Sequence, residues 1–234
     1  MPRVRTVVCA LGFCALGLVG SVPVHADMAT GTVRGSVQLL RRSLLGGLKP
    51  SDDASGIIVY LTGFTQPAPA EPALLNQHNE RFEPRLLPIV QGQEVIFPNH
   101  DRIYHNVFST SPIATFDLGQ YKSTDPPRTV PFSQPGLVPV YCNIHPQMLS
   151  YVVVLQNRAF AVTGADGRFA IEHVPAGTLA LQAWAPGAPR VTRALELAAG
   201  QVLEVDLVVE QTERIAPHKR KDGSDYPKPG YAEE

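Results

Sequence analysis

The chain has 234 residues, with 20 Lys plus Arg against 21 Asp plus Glu and a formal net charge of −1. This near balance excludes the dense basic surface of a nucleic-acid binder and leaves only weak long-range steering toward a charged partner. The length allows one or two domains of roughly 100 to 200 residues, and 22 prolines with 19 glycines favour short elements joined by turns over long helices.

Residues 1–26 carry Arg3 and Arg5, an apolar run over 7–20, and Val24-His-Ala26, a small-residue cleavage pattern before Asp27. They read as a signal peptide removed on export to the periplasm. The apolar run falls short of the roughly 20 residues that cross a bilayer, so no membrane span is expected in the mature chain. Cleavage removes Cys9 and Cys14 and leaves Cys142 alone, which rules out an intrachain disulfide.

A first domain is expected over 27–155. Its predicted strands are 31–40, 56–62, 85–90, 94–98, 105–109, 130–132, 137–142 and 151–155, short and bounded by Gly and Pro, the pattern of an antiparallel β-sandwich. The segment Gln66-Pro-Ala-Pro-Ala-Glu-Pro72 cannot join a sheet and reads as an exposed loop. Pro139 forces a bulge or an edge position within 137–142.

A second, smaller β domain is expected over 156–210, with a turn leading into a strand in 163–171, the same arrangement in 174–181, and a strand at 202–209. Val202, Glu204, Asp206 and Val208 alternate with Leu203, Val205, Leu207 and Val209, which marks a half-buried strand. Trp184 reads as a core residue. At about 55 residues this domain is marginal alone and is expected to pack on the first. The tail, 211–234, is polar, lacks apolar periodicity and is expected to be mobile.

The chemistry concentrates in Cys142-Asn-Ile-His-Pro-Gln-Met148, together with His105 and the Asn106 that follows it. These residues supply one thiolate, two imidazoles and one thioether, a donor set that suits copper in both oxidation states and hence single-electron transfer. Singly, a buried Cys is a small hydrophobe and a buried Met is core filler. Their convergence in seven residues, in a mature chain with one Cys, selects the metal reading. His100 is expected to lie beside the site without ligating. His78, His173 and His218 have no partner spacing, and Tyr141 reads as ordinary strand packing.

These segments resemble the cupredoxins, and the Cys-x2-His-x2-Met spacing is similar to that of amicyanin. The wider pattern, His78-Asn-Glu-Arg-Phe-Glu-Pro84, Phe116-Asp-Leu-Gly-Gln-Tyr121 and Cys142-Asn-Ile-His-Pro146, resembles periplasmic proteins of the methylamine utilisation type. The resemblance implies a Greek-key sandwich holding one type 1 copper through His105, Cys142, His145 and Met148. By the same resemblance, the Asn106 amide donates to the Cys142 sulfur. Pro146 has no N–H to offer, which implies fewer donors to that sulfur. Residues 156–210 resemble a carboxypeptidase regulatory-like domain, a small transthyretin-like sandwich without catalytic residues. The expected partner is a periplasmic redox protein such as a cytochrome c or a dehydrogenase. The expected function is electron carriage rather than catalysis; copper storage or delivery and a non-redox interaction module are the alternatives.

Overall fold

The computed structural model describes residues 29–43, 46–215 and 217–227. The predicted signal peptide lies outside the described residues. Among those residues the chain is all-β, and no helix is long and apolar enough to cross a membrane.

The strands begin with β1 (Thr30–Arg42), β2 (Leu48–Pro50), β3 (Ile58–Thr62), β4 (Ala73–Leu74), β5 (Asn76–His78) and β6 (Arg81–Glu83). There follow β7 (Leu86–Val90), β8 (Glu94–Phe97), β9 (His105–Ser111), β10 (Ala114–Tyr121), β11 (Arg128–Pro131), β12 (Gly136–Cys142) and β13 (Leu149–Leu155). The last six are β14 (Phe160–Val162), β15 (Arg168–Pro175), β16 (Gly177–Trp184), β17 (Val191–Leu197), β18 (Val202–Glu204) and β19 (Leu207–Gln211).

Strand pairing divides them into two sandwiches. In the first, a sheet ordered β10-β9-β12-β13-β7 faces β11-β8-β4, with the β5-β6 hairpin at one end. Their shared core includes Phe97, Val107, Val138, Val140 and Val152, which lie on the inward faces of their strands, and Phe132 just beyond β11. In the second, β1 pairs with β15, β18, β19 and β2, and this sheet faces β14-β3-β16-β17 across a core of Val33, Val37, Val59, Leu61, Leu181 and Leu197.

The predicted boundary at residue 155 therefore does not follow the sheets. Strands β1 and β3, placed by the sequence reading in the first domain, hydrogen-bond to strands from 156–211. The second sandwich is split in sequence, and the first is inserted into it between β3 and β14. Asn157 ties the crossing point, because its Nδ2 donates to the carbonyls of Leu61 and Phe64, each at 3.0 Å. Gly35 permits the close approach of β1 to the β18–β19 connection: a Cβ there would lie 1.9 Å from the Val205 carbonyl oxygen. The predicted strand 202–209 is accordingly two strands, broken at Val205 and Asp206, where the Val205 amide turns to the Arg34 carbonyl.

Two strands are buried on both faces. Val59 and Leu61 enter the split sandwich's core, whereas Ile58 and Tyr60 pack on Leu86, Val153 and Leu155 of the inserted one. In β13, Val152 and Val154 face inward, and Val153 and Leu155 complete this contact between sandwiches. Two-sided burial explains why both strands read as unbroken apolar runs. Trp184 lies at this junction, edge-on to Tyr151 at 5.6 Å between ring centroids, and is only half-buried. Pro139 sits in β12 without an irregularity in its pairing to β13. The ladder from β12 to β9 holds only at Tyr141 and Cys142, so the missing N–H faces a gap, locally an edge.

Candidate metal centre

Strand β12 ends at Cys142, and β13 begins at Leu149, so the ligand loop spans the mouth of a hairpin inside the main sheet of the inserted sandwich. The loop is compact: the Cys142 amide donates to the Met148 carbonyl at 3.2 Å, and the Met148 amide to the His145 carbonyl at 3.1 Å. Neighbouring β9 delivers His105 at its first residue, paired to the sheet beside Cys142. Residues 37 apart in sequence thus become adjacent through strand pairing.

One donor atom each from His105, Cys142 and His145 lies within 4.8 Å of the others. The two histidines face each other through Nδ1 at 2.9 Å, and Cys142 Sγ lies 3.7 Å from His145 Nδ1. Cys142, Met148 and His105 are fully buried, and His145 is partly exposed. Met148 belongs to the same apolar cluster as Cys142. Two imidazole nitrogens and a sulfur turned toward one point suit a borderline-soft cation, and copper fits this donor set.

The electrostatics point the same way. Burial pushes the Cys142 thiol up, but the His105 ring and the backbone N–H groups of Asn106, Ile144 and His145 outweigh it and hold the thiol below its ordinary range. Burial pulls His105 down, yet Cys142 and the Asp101 carboxylate leave it above its usual value. Burial and the neighbouring His105 hold His145 below it.

The Asn106 amide faces the Cys142 sulfur, and its carbonyl accepts the Asn143 amide at 3.1 Å. Its side chain donates to Asp117 Oδ1 at 2.6 Å and to the Gly119 carbonyl at 2.9 Å, which fixes its orientation. Pro146 lies exposed on the loop. Position 146 offers the sulfur no N–H; the donors it does meet are the Ile144 amide, which approaches Sγ at 3.4 Å, and the amides of Asn106 and His145, which also favour the thiolate.

Sequence reasoning missed Asp101. Its Oδ2 accepts from His105 Nε2 at 2.8 Å, a carboxylate holding the far nitrogen of a candidate ligand, which fixes the ring's tautomer and orientation. Asp101 is in turn held by the amides of Asn79 and Glu80 at 2.8 and 2.9 Å. Those two residues turn the β5-β6 hairpin with φ of 52° and 55°. Glu80 also accepts from Gln147 Nε2 at 2.7 Å and so reaches the ligand loop itself. The four-residue spacing of Asp101 to His105 is visible in the sequence but too common to mark a partner by itself.

The tail departs from expectation as well. Residues 217–227 lie against the loop: the Tyr226 hydroxyl donates to the Cys142 carbonyl, and the Lys221 amide donates to Asn143 Oδ1 at 2.8 Å. His218, set aside in the sequence for want of a partner, packs on Tyr141 at 4.6 Å between centroids. His100 instead approaches Asn76 Oδ1 at 3.2 Å, away from the three donors.

No family model matches the chain, and no curated protein does. Solved structures with a similar stretch include amicyanin from Paracoccus versutus, at 20% identity over 41% of this chain and 98% of that one, with a TM-score of 0.33. A purple cupredoxin from Nitrosopumilus maritimus is 22% identical over 36% of this chain and 99% of its own, TM-score 0.32. The copper-containing nitrite reductase of Thermus scotoductus SA-01 is 22% identical over 36% of this chain, TM-score 0.34, and this chain spans only 22% of that enzyme. At such scores none of these likenesses bears on what the chain does; the donor geometry does.

Proposed function

We propose that the protein is a periplasmic type 1 copper protein that carries single electrons between redox partners, with one copper per chain. The observation that supports this most directly is the convergence of His105, Cys142 and His145 donor atoms within 4.8 Å in a buried sandwich end. His105 and His145 would bind through imidazole nitrogen, Cys142 through its thiolate, and Met148 through its thioether sulfur. Copper held there supplies a one-electron change between Cu(I) and Cu(II).

The chain's own part is to keep the donors in place in both states. Asp101 orients His105, Asn106 anchors the start of the loop, and the apolar cluster around Cys142 and Met148 excludes water. With Met148 as the fourth donor no open position would remain for a substrate, which favours a carrier over a catalyst. His145 is the ligand nearest solvent, and Ile144, Ile103 and Tyr104, exposed at 36%, 43% and 48%, flank the ligands in sequence. With Pro146 these exposed residues would offer the apolar contact on which a cytochrome c or a dehydrogenase docks, through a small, transient interface. The split sandwich serves in this reading as a structural or docking module, and residues 1–26 as the export signal.

Protein-film voltammetry and electron paramagnetic resonance test the proposal together. A reversible one-electron wave with the small copper hyperfine splitting of a thiolate-bound Cu(II) is expected. A large splitting, with no reversible wave, would mean that Cys142 does not bind the metal.

A further inference from the structure

We propose that the C-terminal segment 217–227 is a latch on the metal loop, with Tyr226 as a positioning residue for Cys142; the proposal rests on the ligand assignment above. Cys142 is the last residue of β12, and beyond it the chain leaves the sheet. Its carbonyl oxygen needs a partner at that point, and the Tyr226 hydroxyl supplies one. The next residue, Asn143, is held from two sides: its amide donates to the Asn106 carbonyl at 3.1 Å, and its side chain accepts from the Lys221 amide at 2.8 Å. The Lys221 ammonium reaches Asp117 Oδ2 at 2.5 Å, and the other oxygen of that carboxylate accepts from Asn106 Nδ2 at 2.6 Å. One segment therefore grips both residues at the base of the loop and supports the Asn106 anchor from behind.

The segment is built for this placement. Arg220 and Ser224 close a turn through the Arg220 amide to the Ser224 carbonyl at 3.0 Å and the Gly223 amide to the Arg220 carbonyl at 2.9 Å. His218 stacks on Tyr141 at 4.6 Å, and the Tyr226 ring stands edge-on to His218 at 5.2 Å. A segment so polar buries little apolar surface of its own, so its order depends on these few directed contacts; those that leave the segment end on Cys142 and Asn143 of the loop, on Tyr141 of β12 and on Asp117 of β10.

The rate at which a thiol reagent modifies Cys142 in the metal-free protein tests the latch, because the buried sulfur reacts only when the loop opens. Tyr226→Phe removes the hydroxyl and keeps the ring; it should label on the order of tenfold faster than the native chain. A chain ending at residue 216 should label at least as fast. In the copper-loaded protein Tyr226→Phe should also shift the ratio of the thiolate-to-copper absorption bands, which loss of a merely structural contact elsewhere would leave alone. Labelling of Tyr226→Phe within about twofold of native, with an unchanged band ratio, would overturn the proposal. If the shortened chain fails to fold, Tyr226→Phe decides alone. A native protein without any thiolate-to-copper band would sink the electron-carrier reading, while the labelling rates would still decide the latch.

Discussion

The two sandwiches share strand architecture and differ in what they bury. In the split sandwich the buried polar side chains among the described residues are Asn157 and Thr163, and both serve connections: Thr163 Oγ1 donates to the Ala54 carbonyl at 2.6 Å and accepts the Ile57 amide at 3.1 Å. The inserted sandwich buries Gln77, Asn99, His105, Asn106, Ser109 and Ser150, several of them around the Cys142 loop. Burying a polar group costs free energy unless it finds a partner. Asn99 shows the partnering: its Nδ2 donates to the Tyr121 and Ile103 carbonyls, and its Oδ1 accepts the Asp101 amide, which sets the turn that places His105. One described interior is almost wholly apolar, and the other keeps several polar groups buried around the His105, Cys142 and His145 cluster.

Substitutions that separate chemistry from stability sharpen this contrast. The largest effect is expected from Cys142→Ser, which should abolish the thiolate-to-copper absorption while circular dichroism retains the β signal; colour surviving this change would disprove the ligand assignment. Leu181→Ala, in the fully buried core of the split sandwich, should cost about 2–5 kcal/mol by denaturant unfolding and leave the copper spectrum of the folded protein unchanged. A changed spectrum would mean that the two sandwiches are not separable in this way. Asp101→Asn should weaken copper binding roughly 10–100-fold in competition titrations. It should also raise the reduction potential, because a less basic His105 favours Cu(II) less. The smallest effect is expected from Arg34→Ala, which breaks an ion pair to Glu204 whose side chains are 55% and 70% exposed; unfolding should shift by less than about 1 kcal/mol.

Local pattern made part of this molecule legible. The alternation in 137–142 and the apolar run in 151–155 mark β12 and β13, and the seven-residue spacing from Cys142 to Met148 identifies the candidate loop, because those features lie within one hairpin. Pairing over long separations was not legible. The pattern of β1 does not state that it pairs with β15 and β19 rather than with its neighbours in sequence, so the insertion of one sandwich into the other was missed. Strand β10 was passed over despite Ala114, Phe116 and Leu118 at alternate positions, its apolar signal diluted by Asp117, Gly119 and Gln120. Asp101 was hidden for a different reason: a carboxylate four residues before a histidine is common on surfaces, and only the Asn79-Glu80 turn, folded over it, makes it a partner of His105. The tail's polar composition argued for mobility, and the few hydrogen bonds that seat it on the loop carry no sequence signature.

The visible absorption spectrum of the protein after addition of one equivalent of Cu(II), then ascorbate, then reoxidation, tests the central claim most directly. The account predicts an intense thiolate-to-copper band that bleaches with ascorbate and returns on reoxidation. Weak ligand-field absorption alone, with Cys142 still reactive toward a thiol reagent, would contradict it.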